Sequence, residues 1–466
     1  MDKKDINKPS ILILNNDCLL SIFSYLNVQE LMIVERLCQR FEDVAQMCYR
    51  RYRELDFEEL SQSTEDGFIK LWEAEEISSR VGRFVHVLKI SSNSIFMDNV
   101  DNDYLPMSVF KHFENLRFIY LDNFDITSES CIEELRRTFP AIEYIVLDFC
   151  RCDDGIAAWL ENLPKLQVVK FININEITGQ CLTGLRGIKE IKLYNCNDLE
   201  PKYFEKFCEE NPQIRKLFLY LDIIQHNNRI LLQSIAKNLK NLESLVLWDI
   251  CDMFDTFGTS GPNFEILGDL RKITRLRLCY TGHENSDKLD LFLENLSKNT
   301  HIECLNICCT HYDMQKSTLE MLGNFSELRI LKLNYIPNCD FPLGRLSCFE
   351  TLQELHLIGC EVTISALTDV IVKFKCLKLI NLAQCPFDMN SLISITPLLI
   401  SRTHVLEIIV NQTSVEEELK KEHKNEELEN FIASYKGKLK LTINANKDGS
   451  TKRSFHQWEE WEGDIS

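Results

Sequence analysis

The sequence predicts an α/β fold in which short parallel strands and helices alternate in a solenoid, preceded by a small all-α segment. Two observations support this prediction. An apolar pattern of the form L-x-x-L-x-L recurs along most of the chain, and the segments between its copies are mostly helix-like. The residues before the first clear copy lack that pattern but are rich in leucine, isoleucine and phenylalanine.

The composition is that of a globular protein: of 466 residues, 45% are hydrophobic and 26% are charged. The formal net charge of −19 opposes general attraction to nucleic acid or to anionic membranes, since both are polyanions. We therefore expect neither as a partner. The 19 cysteines are scattered along the chain, which favours free thiols in a reducing compartment over a disulfide framework.

An export signal is not expected. Lysines and acids are mixed in MDKKDINKPS, and the apolar residues 11–14 are followed by Asn15, Asn16 and Asp17 rather than by a small-residue cleavage site. No stretch approaches the ~20 apolar residues that cross a membrane. The expected location is therefore cytoplasmic, nuclear or both.

Three short helices are predicted within residues 9–53. They cover CLLSIFSYL, residues 30–36 and residues 36–52, and Asn16 or Asp17 caps the first. A segment of this size has a marginal core, and additional apolar side chains on an outer face indicate a partner surface. The alternative is that these side chains pack on the first repeat.

The repeats have a spacing of roughly 22 to 31 residues, the period of a leucine-rich repeat. The last two apolar positions of L-x-x-L-x-L are two residues apart, so they share one face of a short strand. The intervening segments, such as residues 127–141 and 287–301, carry helix caps and stops. Because a single repeat cannot bury its apolar face, we expect a stacked leucine-rich-repeat solenoid, a horseshoe with strands on the concave side and helices on the convex side. The clear copies are LRFIYLDNF from Leu116, IEYIVLDFC from Ile142, LQVVKFINI from Leu166, IKEIKLYNC from Ile188, IRKLFLYLD from Ile214, LESLVLWDI from Leu242, ITRLRLCYT from Ile273, IECLNICCT from Ile302, LRILKLNYI from Leu328, LQELHLIGC from Leu352 and LKLINLAQC from Leu377, with weaker copies from Val85 and Val405.

The first rung of the solenoid is expected at RELDFEEL, with Leu55 and Phe57 pointing inward and residues 61–80 forming its helix. The predicted domains are the helical segment, residues 9–53, the repeats, residues 54–445, and a C-terminal tail, residues 446–466.

Four cysteines occupy one position of the repeat. Cys150, Cys196, Cys360 and Cys385 each stand eight places after the first apolar residue, where other repeats have phenylalanine or isoleucine. We interpret these as buried turn positions filled by a small hydrophobe.

No metal, cofactor or catalytic activity is expected. Cys304 and Cys308 lie near His311, but two residues four apart on a strand are about 13 Å from each other, too far to share a zinc ion bound at ~2.3 Å. Phosphate-loop, dinucleotide-binding, zinc-protease and nucleophile-elbow motifs are absent from the sequence.

The helical segment resembles an F-box. The family pattern is Leu-Pro, then D-x-L-L-x-x-I-F-x-Y-L, a short break, and L-x-x-x-x-x-V-C-x-x-W-x-x-L/V-A. Here Asn15 replaces the usual proline and Phe41 the usual tryptophan, from which we expect weakened rather than lost binding. The matching residues are Leu14, Asp17, Leu19, Leu20, Ile22, Phe23, Tyr25, Leu26, Leu31, Leu37, Cys38, Phe41, Val44 and Ala45.

Followed by the repeats, this segment makes the chain similar to F-box and leucine-rich-repeat proteins. The resemblance implies a non-catalytic substrate receptor of an SCF-type cullin–RING ubiquitin ligase. The F-box would bind the Skp adaptor and, through it, the cullin and RING subunits, and the repeats would bind a protein substrate. The adaptor contacts expected from the pattern are Leu14, Leu20, Ile22, Phe23, Leu26, Leu31, Leu37, Cys38 and Phe41.

The concave strand positions predict a substrate surface. They collect basic and aromatic residues with a single acid, Glu190, which fits an acidic or phosphorylated substrate segment. The alternative is that these positions tolerate any polar residue. The candidate residues are Lys170, Lys192, Tyr194, Lys216, Phe218, Tyr220, Trp248, Arg275, Arg277 and Lys332.

The tail combines Phe455, Trp458 and Trp461 with four acids, the charge opposite to that of the concave stripe. It is expected either to be disordered or to fold back so that Trp458 and Trp461 meet Phe218, Tyr220 and Trp248. A second function class stays open for the whole chain: a non-degradative interaction scaffold or inhibitor that uses the same surface.

Overall fold

The computed structural model describes residues 11–96, 105–220, 228–248, 267–268, 270–280, 286–299, 301–309, 321–336, 339–340, 343, 346–348, 350–399, 401–419 and 439–442. The chain divides into two compact units, Met1–Glu303 and Cys304–Ser466. The expected fold-back of Trp458 and Trp461 lies outside the described residues, and so does His311.

The first unit begins with three helices and continues with strands that pair in parallel with their neighbours along the chain. Its helices are α1 Asn16–Phe23, α2 Val28–Glu35, α3 Gln39–Tyr49, α4 Phe57–Gln62, α5 Leu71–Val81, α6 Met107–Phe110, α7 Glu129–Thr138, α8 Ala157–Leu160, α9 Pro201–Glu210, α10 Asn228–Asn238 and α11 Ser286–Asn299. Its strands are β1 Glu54–Asp56, β2 Ile69–Lys70, β3 Val87–Ser91, β4 Ile95–Phe96, β5 Phe118–Asp122, β6 Tyr144–Asp148, β7 Val168–Ile172, β8 Glu190–Tyr194, β9 Lys216–Tyr220, β10 Ser244–Trp248 and β11 Arg275–Tyr280.

The second unit repeats the same parallel arrangement. Its strands are β12 Cys304–Cys309, β13 Ile330–Asn334, β14 Glu354–His356, β15 Leu379–Asn381, β16 Leu406–Ile409 and β17 Leu439–Thr442, and its helices are α12 Ile364–Lys373, α13 Met389–Leu399 and α14 Ser414–Leu419.

The repeat pattern explains the position of the strands. Each clear copy from Leu116 to Leu377 forms a strand that begins two residues after its first apolar residue. In β5, Ile119 and Leu121 are buried in the core and alternate with half-buried side chains on the other face. The predicted leucine-rich-repeat arrangement of parallel strands and helices is therefore confirmed.

The turn that follows β5, β6, β7 and β8 is also repeated. Asn123, Asn173 and Asn195 follow β5, β7 and β8 with φ of 58°, 55° and 55°, in the left-handed region that asparagine tolerates better than most residues. Phe149 holds the same place after β6 with φ of 48°.

The next residue of this turn confirms the interpretation of the four cysteines. Cys150, Cys196, Cys360 and Cys385 are buried, and each Sγ donates to a backbone carbonyl of the preceding repeat, Cys150 to Leu121 at 3.3 Å. Burial raises the pKa of the Cys150, Cys196 and Cys385 thiols to about 12, so these three thiols are structural and unreactive.

The first rung departs from its prediction in one respect. Leu55 and Phe57 are buried as expected, but residues 61–80 are not one helix. Asp56 caps α4 by accepting from the backbone N–H groups of Glu58 and Glu59, so the helix begins immediately after β1. This helix ends at Gln62. The strand β2 follows, and a second helix, α5, begins directly after β2.

Candidate functional site

The N-terminal helices, α1 to α3, form a small bundle that we call the helical box. The side chain of Asn15 accepts from the backbone N–H of Cys18 at 2.9 Å and caps α1. The cap is therefore Asn15 and not the predicted Asn16 or Asp17. Asn15 stands where the F-box pattern has proline, and its side chain acts as the N-cap of α1. In α2, Asn27 and Glu30 form a capping box.

The core of the helical box corrects part of the predicted adaptor surface. Phe23, Leu31 and Phe41 are all buried, and the rings of Phe23 and Phe41 meet edge to face with centroids 5.3 Å apart. These three residues hold the helices together and are not placed to contact a partner. Their burial contradicts the expectation that they belong to the contact surface, because neither the match to the F-box pattern nor the apolar excess distinguishes the inner face of a helix from its outer face.

Other predicted contacts do lie at the surface. Ile22 and Cys38 are exposed and Leu37 is 67% exposed, whereas Leu14, Leu20 and Leu26 are half-buried.

The largest exposed apolar side chain of the helical box is Tyr25, at 89%. It matched the F-box pattern but was not among the candidate contacts. The other exposed apolar residues that the candidate set lacked are Ile11, Leu12, Ile13, Ile33 and Met47. The apolar side chains in this region are therefore more numerous on the surface than a small soluble bundle requires. The sequence signal for three of them, Ile11, Leu12 and Ile13, was the apolar run at residues 11–14.

Two arginines fix the ends of this surface. Arg40 donates to the backbone carbonyls of Leu12 and Leu14 and to Oδ1 of Asn16. Arg51 donates to the carbonyls of Phe23 and Leu26, which close the C-terminus of α1. The segment that carries Leu14 and the turn that carries Tyr25 are thus both tied to α3 and its C-terminal end.

The helical box is attached to the repeats through α5. Nε of Arg80 donates to Oε1 of Glu35 at 3.0 Å, and the Tyr49 hydroxyl donates to the other oxygen of Glu35 at 2.8 Å. Arg36 pairs with Glu76 at 2.7 Å. The helical box and the first repeats therefore meet through charged hydrogen bonds between the C-terminal end of α2 and α5, while Tyr49 of α3 holds Glu35 in place.

A second candidate surface lies on the strands of the first unit. It consists of the side chains that alternate with the core leucines and isoleucines, and we call it the alternate face. Aromatic rings line it: Phe118 and Tyr144 have centroids 4.5 Å apart, and Tyr194 lies 4.9 Å from Tyr220 and 6.0 Å from Phe218. The predicted grouping of Tyr194, Phe218 and Tyr220 is thus present.

Two lysines of the predicted basic stripe are buried. Lys170 is 1% exposed, pairs with Glu190 at 3.1 Å and lies over the Tyr144 ring, with Nζ 5.0 Å from its centroid. Lys192 is 5% exposed and lies over the Phe218 ring at 5.0 Å. The prediction that these two lysines present charge to a substrate was wrong, because aromatic and acidic neighbours enclose them.

The outer part of the stripe is accessible. Lys216 is half-buried and lies 3.5 Å from Glu190, and Arg275 and Arg277 are half-buried on β11. Trp248 ends β10, but its side chain lies outside the described part of the chain. Lys332 belongs to the second unit, so it is not part of the same described surface.

Acids occupy the other end of the alternate face. Asp122 and Asp148 are register partners on β5 and β6. Oδ2 of Asp122 accepts from the Ser91 hydroxyl at 2.7 Å, and Oδ1 of Asp148 accepts from the Asn173 amide at 3.1 Å. Burial raises the pKa of Asp122 to about 6 and also raises the pKa of Asp148. The Tyr120 hydroxyl donates to Oδ2 of Asp148 at 3.4 Å, and Asp148 is itself buried.

Within the described residues, no three or more His, Cys, Asp or Glu side chains are grouped so that they could hold a metal ion. Cys304 and Cys308 are buried on β12. None of the described helices combines the length and the apolar character needed to cross a membrane.

Comparison with known proteins adds little to this picture. No protein-family model matches the chain, and no curated protein does. Among solved structures, an internalin from Listeria monocytogenes str. 4b F2365 is 16% identical, with a TM-score of 0.40, over 77% of this chain and 87% of that one. The TLR13 chain of a TLR13–ssRNA13 complex is 14% identical, with a TM-score of 0.41, over 72% of this chain and 50% of that one. Similarities this distant say nothing of function, and the repeat geometry itself defines the fold.

Proposed function

We propose that this protein is the substrate-recognition subunit of an SCF-type cullin–RING ubiquitin ligase. The helical box binds the Skp adaptor, and the leucine-rich repeats bind a protein that is to be ubiquitinated. The protein itself performs no chemistry. It raises the effective concentration of substrate lysines near a charged ubiquitin-conjugating enzyme.

The observation that carries this proposal is the match between the F-box pattern and an exposed apolar surface. Ile22, Tyr25 and Leu37 belong to that pattern, and all three side chains are exposed. Leaving large apolar side chains in water is a liability for a soluble protein unless a partner covers them. A buried apolar anchor of this kind commonly contributes ~2 kcal/mol or more to binding.

The attachment of the helical box supports the same reading. A receptor that positions a substrate needs a stiff connection between its adaptor contact and its substrate contact. The hydrogen bonds of Glu35 with Arg80 and Tyr49, and of Arg36 with Glu76, supply such a connection.

The test is a pull-down of the Skp adaptor with a variant that carries Ile22→Asp and Leu37→Asp. Both side chains are exposed, so the fold should survive and adaptor binding should fall by more than about tenfold. Leu31 is unsuitable for this test because it is buried and a charge there would unfold the helical box. The matched control is Ile393→Asp, an exposed isoleucine on α13 of the second unit. Unchanged adaptor recovery by the folded double variant would refute the ligase assignment.

The second candidate is a non-degradative scaffold or inhibitor. It shares the partner-binding repeats and differs only in lacking adaptor binding, so the same pull-down with the unmodified protein separates the two functions.

A further inference from the structure

Two cysteines of the second unit have their thiols in contact. Cys339 follows β13 and Cys360 follows β14, and both side chains are fully buried. The two thiols are hydrogen-bonded to each other. Both are free cysteines in this structure, so the contact joins two reduced sulfur atoms.

The backbone holds the two thiols in this position. The N–H of Cys339 donates to the carbonyl of Glu361, the residue after Cys360, at 3.2 Å. The carboxylate of the next residue, Asp340, accepts from the backbone N–H of Thr363 at 2.8 Å. A disulfide requires neighbouring backbones and side chains that are directed toward each other, and Cys339 and Cys360 meet both conditions.

The two thiols differ in acidity. Hydrogen bonds from Cys339 and from the backbone of Ile336 and Tyr335 lower the pKa of Cys360, although burial opposes them. The hydrogen bond with Cys360, together with burial, raises the pKa of Cys339. The thiolate is the form of cysteine that reacts with an oxidant. Cys360 is therefore the nucleophile of the pair, and Cys339 is the thiol that resolves an oxidised Cys360 sulfur.

Cys385 is the alternative partner for Cys360, because it holds the same turn position one repeat later. Its thiol donates to the carbonyl of Leu357, and burial raises its pKa to about 12. Side chains at equal positions of neighbouring parallel strands stand side by side, ~4.8 Å apart, whereas the Cβ atoms of a disulfide are ~3.8 Å apart. Cys339 is therefore the better placed partner.

We propose that Cys339 and Cys360 form a reversible disulfide when the protein meets hydrogen peroxide. The Cys360 thiolate attacks one peroxide oxygen, the O–O bond breaks, and the hydroxide that leaves takes up the proton that Cys360 had released. The Cys339 sulfur then attacks the sulfur of the Cys360 sulfenic acid, the S–O bond breaks, and hydroxide leaves with the Cys339 proton as water. Together the two thiols lose two electrons and two protons, and one peroxide becomes two waters.

Burial of both sulfur atoms restricts the oxidant to a small molecule. Hydrogen peroxide is little larger than water, whereas a disulfide such as oxidised glutathione would have to bring its own sulfur to a buried one. The new bond would join the segments that follow β13 and β14, so it would tie two successive repeats together and close a loop of about twenty residues. This site is independent of the proposed ligase function, because it needs neither the adaptor nor a substrate.

The experiment uses the full chain, treated with hydrogen peroxide in the native state and then unfolded in N-ethylmaleimide, which blocks the remaining free thiols. Arg345 lies between the two cysteines in the sequence, so trypsin releases them on different peptides, and mass spectrometry without reduction identifies a linked pair. We expect the link between Cys339 and Cys360 in at least about half of the chains, and its loss on addition of dithiothreitol. Absence of the linked peptides, in protein that stays folded by circular dichroism, would overturn the inference.

Two variants test the roles of the sulfur atoms. In Cys339→Ala the sulfenic acid of Cys360 has no resolving thiol, so the link should be lost and dimedone, which reacts with sulfenic acids, should label Cys360. Cys385→Ala is the matched control and should form the link as the unmodified protein does. A link between Cys360 and Cys385 in the unmodified protein would contradict the assignment.

Unfolded protein provides a test that does not depend on the folding of a variant. When the unmodified chain is treated with peroxide in urea, the link between Cys339 and Cys360 should lose its preference over other cysteine pairs, because the folded contact selects it. If the preference for this pair is the same in folded and unfolded protein, the contact in the fold has no part in it and the inference is overturned.

Discussion

At the scale of single residues, the fold moves the pKa of Asp122 toward neutral pH. Burial raises the pKa of Asp122 from 3.8 to about 6, and Asp148 and Glu58 act in the same direction, while the hydrogen bond from Ser91 opposes them. Between about pH 4 and pH 6, Asp122 is therefore protonated in the folded state but already deprotonated in the unfolded state. Its contribution to stability is present below that window and is lost as the pH rises through it.

Asp122→Asn should accordingly stabilise the protein at pH 7, by about 1–2 kcal/mol after allowance for solvent screening, and should have little effect at pH 4. Urea unfolding at a series of pH values measures this. Asp125→Asn is the matched control. The pKa of Asp125 is lowered, because hydrogen bonds from Thr127 outweigh burial, so that variant should lose stability at pH 7. A parallel response of the two variants would contradict this account.

Residue type and spacing predicted which positions alternate, but not how deep each one lies. Phe218 and Lys192 occupy equivalent alternating positions on neighbouring strands, yet the lysine is the more deeply buried of the two. Asn211 gives the same lesson. It is fully buried and bonds to the backbone of Phe207 within its own segment and to the backbone of Leu185 and Ile188, which lie in the preceding repeat. No local pattern could reveal them.

At the scale of elements, α12 depends on a side chain from outside the helix. Arg402 is buried and donates from Nη1 to the carbonyls of Ile371, at 2.7 Å, and Phe374, at 3.1 Å. These carbonyls lie at the C-terminal end of α12, where intrahelical partners run out and a positive charge is favourable. Arg402 thus closes the helix and links it to the segment that follows α13.

Arg402→Met should destabilise the second unit by ~2 kcal/mol or more, because several buried carbonyls lose their donor together. Lys373→Met, at the exposed end of the same helix, should change stability by less than ~0.5 kcal/mol. Thermal unfolding compares the two. Equal effects would show that the cap of α12 is not formed by Arg402.

The elements themselves were predictable where periodicity was strong. The strands from Leu116 to Leu377 and the helices α7 and α11 follow from apolar spacing and caps. The helix predicted for residues 61–80 is present only from Leu71 onward, as α5, because α4 ends at Gln62 and the pairing of β2 with β4 comes between the two helices. That pairing brings residues 69–70 to residues 95–96, which sequence periodicity does not report.

At the scale of the whole molecule, the local charge of one surface differs in sign from the net charge of the chain. A chain of net charge −19 carries Lys216, Arg275 and Arg277 on one stretch of its first unit. The negative net charge of the chain repels a polyanion at long range, while the basic side chains of that stretch attract it only at short range. The two effects oppose each other for nucleic acid.

We expect the overall charge to prevail. A fluorescein-labelled single-stranded RNA should show no saturable binding at physiological salt, because few phosphates could be neutralised at once. Fluorescence anisotropy with the full chain measures this, and Arg275→Glu with Arg277→Glu serves as the comparison. Saturable binding that this variant abolishes would contradict the expectation.

The short joint between α3 and β1 has a mechanical consequence. Tyr49 ends α3 and Glu54 begins β1, and Glu35, already held by Tyr49 and Arg80, leaves little freedom for a hinge. A partner bound to the helical box and a partner bound to the repeats next to β1 would therefore be held at a constant distance from each other. An inserted flexible loop after Tyr52 would turn that rigid joint into a tether, so the partners would sample many distances and meet in the right one only part of the time.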